Sequence, residues 1–429
     1  MRKADRIMSD ISFADEHVAA RSPSEAAPVP VLFTGDNGEF RRLVTRGALL
    51  ELVTAGFYRF WLATNMRRHL WSSTVIGGDA LEYVGTAREL LFGFFFALAI
   101  LAPVYIAYIV IGFEAERQRA FASLPLGLFF AAFGQFAIYR ARRYRLNRSA
   151  WRGLRFGMGG SGLAYMFRAI GWGLLIALTL GLALPWAEAA LERYKMRNTY
   201  YGALEGDFVG RGGDFFKRGW WIWAVSLAYP FLLYLLARSS QHAGVSAGDG
   251  SGRTMVNNSN ATGLLVTLGV IVAFLLYPSL YAAFKGAQWR WWIGGLRLGG
   301  IRLESKLATT KLLTNYYALF AIVVGVTIVA IVLAVVAART TGFQGGAAPG
   351  ATPHIPIGTM TAWIGVYVAT FLAIGVASRI FLTQRVWKIV ASSVRVHGLE
   401  AAEDVATRAS VTPSAIGEGF ADSLDVVGF

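Results

Sequence analysis

Six stretches of the chain run for 19 to 24 residues with no charged residue and no histidine: 90–113, 121–139, 219–237, 264–284, 316–338 and 360–378. At about 1.5 Å rise per residue each reaches roughly 28–36 Å as a helix, which matches a hydrocarbon core of about 30 Å. Backbone groups in that core find no water, so a continuous apolar run of this length predicts a helix that satisfies its own hydrogen bonds. A transmembrane barrel would alternate apolar and polar residues over segments of about ten, and these runs are apolar all round. The expected class is therefore an all-α polytopic membrane protein. Two further apolar segments, 47–63 and 169–187, are less clear-cut: the first holds Glu51 and Arg59, and the second has Pro185 near its end.

Basic residues fix the expected orientation, because loops rich in Lys and Arg stay in the cytoplasm. The segment after Tyr139 carries Arg140, Arg142, Arg143, Arg145, Arg148, Arg152 and Arg155, and the segments 191–218 and 285–311 hold six basic residues each. All three are expected inside. Segments 114–120, 238–262 and 339–357 are acidic-balanced or nearly uncharged and are expected outside. This arrangement gives three helical hairpins, and it requires 47–63 and 169–187 to return to the side they left. Six spans with two half-inserted segments is the expectation, with eight spans as the alternative.

Displacing the chain by 125 residues aligns VTAGFYRFWLATNMRRHLWSSTVIGGDALEYVGTARELL from Val53 with LTLGLALPWAEAALERYKMRNTYYGALEGDFVGRGGDFF from Leu178 without a gap. Thr54 meets Thr179, Gly56 meets Gly181, Trp61 meets Trp186, Arg68 meets Arg193, Thr74 meets Thr199, Gly85 meets Gly210, and Glu89 meets Asp214. Matches of this kind at one offset indicate an internal repeat. A weaker form of the loop recurs as WRGLRFG, IGGLRLGGIRLES and SSVRVHG, whose alternation predicts short amphipathic β-hairpins at the membrane surface. The chain divides accordingly into a head, 1–30, expected to be disordered; membrane units 31–155 and 156–311; a third helical hairpin with a terminal loop, 312–399; and an acidic tail, 400–429. The head lacks the apolar core of a cleavable leader, so insertion is expected through an internal span.

The elements LVTAGFYRFW, Arg68, Thr74, the glycine pattern ending at Gly85 and the C-terminal GEGFADSLDV resemble the YjgN-type family of bacterial inner-membrane proteins, a domain of unknown function. The resemblance runs from about Val31 to the C-terminus. It implies a multi-pass protein of the bacterial inner membrane and supplies no catalytic residue to carry over.

Chemistry is sparse. The chain has no cysteine, which removes disulfides and thiolate chemistry. Its five histidines are scattered, and no Walker loop or G-x-S-x-G is present. No enzyme activity, cofactor or metal is expected. Charges beside apolar segments are the better candidates, since an unpaired ion there is costly. These are Arg68, Glu89, Arg193, Asp214, Arg168 and Arg379, read as ion pairs such as Arg68 with Glu89 and Arg193 with Asp214, or as part of a solute pathway. Pro103, Pro125, Pro230 and Pro278 are expected to kink spans. The net charge of +15 is assigned to orientation and to anionic lipid rather than nucleic acid, with Arg140, Arg142, Arg143 and Arg145 as the lipid patch. Two functions remain in view, a transporter or channel-like protein and a membrane-organising scaffold that binds anionic lipid or partner proteins. Self-association is left open.

Overall fold

The computed structural model describes residues 27–117, 123–242, 259–341, 356–403 and 405. It is a membrane protein: among these residues five helices are long and apolar enough to cross a bilayer, within Ala87–Ile111, Gly212–Leu236, Gly263–Gly295, Thr309–Thr340 and Ile357–Ala391. The sixth uncharged run begins outside the described residues and continues into Ser123–Asn147, whose later half carries the arginines from Arg140 to Arg148. Residues 1–26 of the head and nearly all of the tail lie outside the described residues, while Val29–Pro30, at the end of the head expected to be disordered, form a strand.

Alternation in the basic loops does produce strands, but they are not separate hairpins. The chain forms β1 (Val29–Pro30), β2 (Leu32–Phe33), β3 (Thr74–Ile76), β4 (Asp79–Tyr83), β5 (Ser149–Trp151), β6 (Leu154–Met158), β7 (Thr199–Tyr201), β8 (Leu204–Phe208), β9 (Leu296–Leu298), β10 (Ile301–Ser305) and β11 (Val394–His397). They pair antiparallel in one sheet, in the order β1-β11-β10-β9-β8-β7-β6-β5-β4-β3-β2. Since β1 and β2 flank Val31, whose N–H donates to Val394 O at 3.1 Å, the sheet closes into a ring. Closure removes the unpaired edges that short amphipathic hairpins would otherwise expose. The SSVRVHG segment accordingly supplies the single strand β11 that completes the ring.

Two-residue turns set the register of the hairpins. Gly77 and Gly78 take φ of 60° and 91°, and Arg152 and Gly153 take 48° and 74°, the left-handed values that a tight twisted hairpin demands. Arg152 tolerates this beside Asp79, with Nε donating to Oδ2 at 2.6 Å. Inside the ring Val31, Trp151, Tyr201, Ile301, Val396 and Ala402 form a buried apolar core. Tyr201 donates its hydroxyl to Trp151 O at 2.8 Å, whereas the Trp151 indole N–H is buried without a hydrogen-bond partner among the described residues.

Between successive strand pairs the chain runs out and back through helices α1 (Asn37–Val53) and α2 (Arg59–Ser72), α3 (Ala87–Arg117) and α4 (Ser123–Asn147), α5 (Gly162–Leu178) and α6 (Leu184–Arg197), α7 (Gly212–His242) and α8 (Ser259–Gly295), and α9 (Thr309–Thr340) and α10 (Ile357–Ser378). A π-helical turn, Arg379–Arg385, and α11 (Val386–Ala391) lead back to β11. Packing follows this order and closes on itself where α10 lies against α1. Ten strand positions at about 4.8 Å make a ring roughly 20 Å across once tilted. Ten helices at 8–10 Å spacing would need about 30 Å. The helices therefore splay from the ring, and in the most apolar stretch of α9 no residue is buried. Pro103, Pro230 and Pro278 do lie inside α3, α7 and α8. Pro125 lies three residues into the described part of α4.

Candidate functional site

The two short helix pairs share several hydrogen bonds at the 125-residue offset. Asp36 caps α1 by accepting from the N–H groups of Gly38 and Glu39, and these donors hold its carboxyl below the ordinary value. Ser161 caps α5 in the same place by accepting from Ala164 N. At the far end Thr54 and Thr179 each donate to the carbonyl four residues back, Leu50 O and Leu175 O, both at 2.7 Å. Each threonine oxygen then accepts from the chain four residues on, Tyr58 N and Ala183 N, both at 3.0 Å. The turn passes through φ of 49° at Ala55 and Leu180 and of 90° at Gly56 and Gly181. This is why the matched residues are Thr and Gly. The threonine replaces the bonds that the broken helix loses, and glycine bears the left-handed turn without strain. Both tips present apolar side chains, with Val53 and Leu178 each 83% exposed and Leu180 78% exposed.

Arg68 and Arg193 also match, but their partners are not the predicted acids. Arg68 donates to Gly85 O at 2.9 Å and Arg193 to Gly210 O at 3.3 Å, tying each helix to the carbonyl where the strand ends. Glu89 is held instead by Tyr144 at 2.8 Å and Arg148 at 3.0 Å. Asp214 makes no side-chain hydrogen bond or ion pair among the described residues. Arg379 pairs with Glu51 at 2.7 Å, joining the π-helical turn after α10 to the last turn of α1. Arg168 lies over the Tyr194 ring at 4.2 Å.

Of the expected lipid patch, Arg142 turns inward. Arg140, Arg142, Arg143 and Arg145 are each half-buried, and Arg142 bonds Glu192 at 3.0 Å and lies over Trp292 at 5.9 Å. Lys195 reaches the other oxygen of Glu192. Burial raises the Glu192 carboxyl, but Lys195 and Arg142 outweigh it and hold it at about 2. Burial pulls the Lys195 ammonium down against the opposing pull of Glu192. Glu188, one turn earlier on α6, is raised by burial, with Lys195 and Lys285 acting against that shift. These five charges form a seam between α4, α6 and α8. Exposed cations at the ring ends of α3, α7 and α9 include Arg88, Lys217, Arg218 and Lys311. Sequence reasoning missed them because each stands in a loop less basic than the one after Tyr139.

A cleft of about 530 Å³ opens at the ring end of α1 and α2, against β4. Its walls include Glu39, Asn65, Arg68, His69, Ser72 and Glu82. His69 is only 11% exposed, its Nδ1 is 3.8 Å from Glu39, and its ring packs on Phe40 at 5.4 Å. Among the described residues no three His, Asp or Glu side chains converge as metal ligands. A family model described as bacterial protein of unknown function (DUF898) matches residues 28–423. No curated protein and no solved structure matches the chain.

Proposed function

From its membership of the family of bacterial proteins of unknown function (DUF898) the chain brings no assigned chemistry, and we propose that it is a non-enzymatic membrane-organising hub of the bacterial inner membrane. Its β-ring sits at the cytoplasmic face, and its exposed cations Arg88, Lys217, Arg218 and Lys311 hold anionic lipid. The observation that carries this reading is the plugged ring. A route along its axis would have to pass Val31, Trp151, Tyr201, Ile301 and Val396, which fill it.

Depth along the helices supports a one-leaflet role for the short pairs. Lys285 ends the uncharged run of α8 eleven residues before β9, and Glu188 stands eleven residues before β7, so both lie roughly 16 Å from the ring. From Glu188 to the Leu180 tip is eight residues, or about 12 Å, less than half of a hydrocarbon core of about 30 Å. On this reading 47–63 and 169–187 are re-entrant, and the matched units descend from a duplication. Polybasic contacts contribute about 1 kcal/mol per residue near an anionic surface.

Purified protein carrying K217A, R218A and K311A should retain less phosphatidylglycerol and cardiolipin than wild type. In vesicles the wild type should leave entrapped ions and small dyes in place. Unchanged lipid retention, or solute flux above protein-free vesicles, would overturn the proposal. A transport reading draws on the buried seam at Glu188, and flux abolished by Glu188→Gln is the result that would favour it.

A further inference from the structure

The arginines of α4 divide by partner. Arg142 is bonded to Glu192 and Arg148 to Glu89. Arg140 and Arg143 make no hydrogen bond, ion pair or ring contact among the described residues, and both are half-buried. The Nε of Arg140 is packed against the protein without a partner, which seats the guanidinium in the helix wall, while its two terminal nitrogens keep accessible surface. Arg140 stands nine residues before β5 and Arg143 six, or roughly 14 Å and 9 Å from the ring. Lys285, which ends the uncharged run of α8, lies roughly 16 Å from it. Both arginines therefore sit just on the ring side of the hydrocarbon, where a cation without a counter-charge is costly.

Towards the apolar end, the same face of α4 continues as a phenylalanine ladder. Phe129, Phe133, Phe136, Arg140 and Arg143 follow one another at steps of four, three, four and three residues, the spacing that keeps side chains on one helix face. Phe129 lies on Phe133 and Phe133 on Phe136, each with ring centroids 6.0 Å apart. From Phe129 to Arg140 is eleven residues, or about 16 Å, the depth of one leaflet of a hydrocarbon core of about 30 Å. One side of this face is closed, because Phe136 lies against Gly162 of α5. The other side is left open by α3. In the other two long hairpins α7 packs on α8 and α9 on α10, whereas α3 and α4 do not pack along their lengths among the described residues. They meet at the ring end, where Leu90 and Tyr144 share a core, and Arg140 is one turn further along α4 from that contact.

We infer that the opening between α3 and α4 holds one anionic diacyl phospholipid, with its phosphate on the terminal nitrogens of Arg140 and on Arg143 and an acyl chain along Phe136, Phe133 and Phe129. A guanidinium meets phosphate oxygens with paired N–H donors, and a free phosphate would leave the ladder bare. Arg88, exposed in the first turn of α3, adds positive charge at the same end. The inference rests on the reading that the protein holds anionic lipid, but it names other residues and a fixed stoichiometry: one seated lipid per chain, in place of an exchanging layer at Lys217, Arg218 and Lys311.

Native mass spectrometry of the full chain, stripped in high-salt detergent and then titrated with phosphatidylglycerol or phosphatidylethanolamine, counts the lipids that persist. One phosphatidylglycerol should remain at collision energies that remove the rest, phosphatidylethanolamine should not, and inorganic phosphate at millimolar concentration should not displace it. R140Q combined with R143Q should lower occupancy of this site about tenfold or more, the scale of one charge-assisted hydrogen bond, in protein that stays monodisperse with unchanged helical circular dichroism. R140K combined with R143K keeps the charge without the paired fork and should fall between that variant and wild type. K217A, R218A and K311A together should shed other lipid yet keep this one, so the two readings fail separately. Equal retention of phosphatidylethanolamine, displacement by inorganic phosphate, loss of the seated lipid from that triple variant, undiminished retention by the folded glutamine pair, or a lysine pair that binds as tightly as wild type would each overturn the inference.

Discussion

Replacing Glu192 by Gln removes the only carboxylate bonded to both Arg142 and Lys195. Its side chain is 8% exposed, so solvent screens little of the interaction. The carboxyl falls from an ordinary 4.5 to about 2 because the two cations outweigh the burial that raises it. At 1.36 kcal/mol for each pH unit this gap is worth about 3 kcal/mol. Because the folded value is the lower one, that contribution is complete above about pH 4.5 and drains away as the pH falls through about 2. The glutamine variant should thus lose about 3–5 kcal/mol at neutral pH, the scale for leaving buried charge uncompensated. Unfolding in mixed micelles of dodecyl maltoside and sodium dodecyl sulfate, followed by tryptophan fluorescence, measures the loss. Adding Lys195→Gln should restore part of it, since one of the stranded cations is then gone. A Glu192→Gln loss below about 1 kcal/mol, or a double variant whose loss is the plain sum of the two singles, would refute the compensation argument.

Glu188 should behave in the opposite sense. Burial raises its carboxyl, so Glu188→Gln should raise the unfolding midpoint at pH 7, and the gain should vanish below the ordinary carboxyl value of about 4.5. Gly56 has φ of 90° with nothing within 4 Å of an added Cβ, so Gly56→Ala isolates backbone strain and should cost about 1–2 kcal/mol in the same micelle assay. A neutral result would mean that the tip relaxes freely. For orientation, Ala203→Cys in the β7–β8 turn should react with an impermeant maleimide only after cells are opened. Ser251→Cys, on a segment expected outside, should react in intact cells; the reverse pattern would invert the topology.

Much of this was legible in particular residues. Thr54, Gly56, Thr179 and Gly181 were matched by offset before their purpose was visible, and they turn out to build the two tips with the same bonds. The pairing of Arg68 with Glu89 was misread because proximity along the chain says nothing about direction. Glu89 lies in the first turn of α3, facing α4, where Tyr144 and Arg148 reach it. The strand-end carbonyl of Gly85 is left for Arg68, since a backbone acceptor at such a junction needs a donor. The inward turn of Arg142 is hidden for a related reason: Glu192, which holds it, is 50 residues further on. His69 passed as one scattered histidine, and its setting emerges only when β4 closes one wall of the cleft.

Hydropathy, charge asymmetry and period are local quantities, so the sequence alone determined that the chain is a helical membrane protein and that its basic loops alternate as strands do, but not that Val29–Pro30 and Leu32–Phe33 are strands. Which strand lies beside which is not local. Ring closure pairs Val29 with Val396 and Leu32 with Val75, and only that closure decides that the basic loops form a single plugged ring. It also decides that helices outgrow the ring's circumference and splay, and that a cleft opens beside the first short pair. Each of these outcomes follows from satisfying strand edges across hundreds of residues, a constraint that no window of sequence contains.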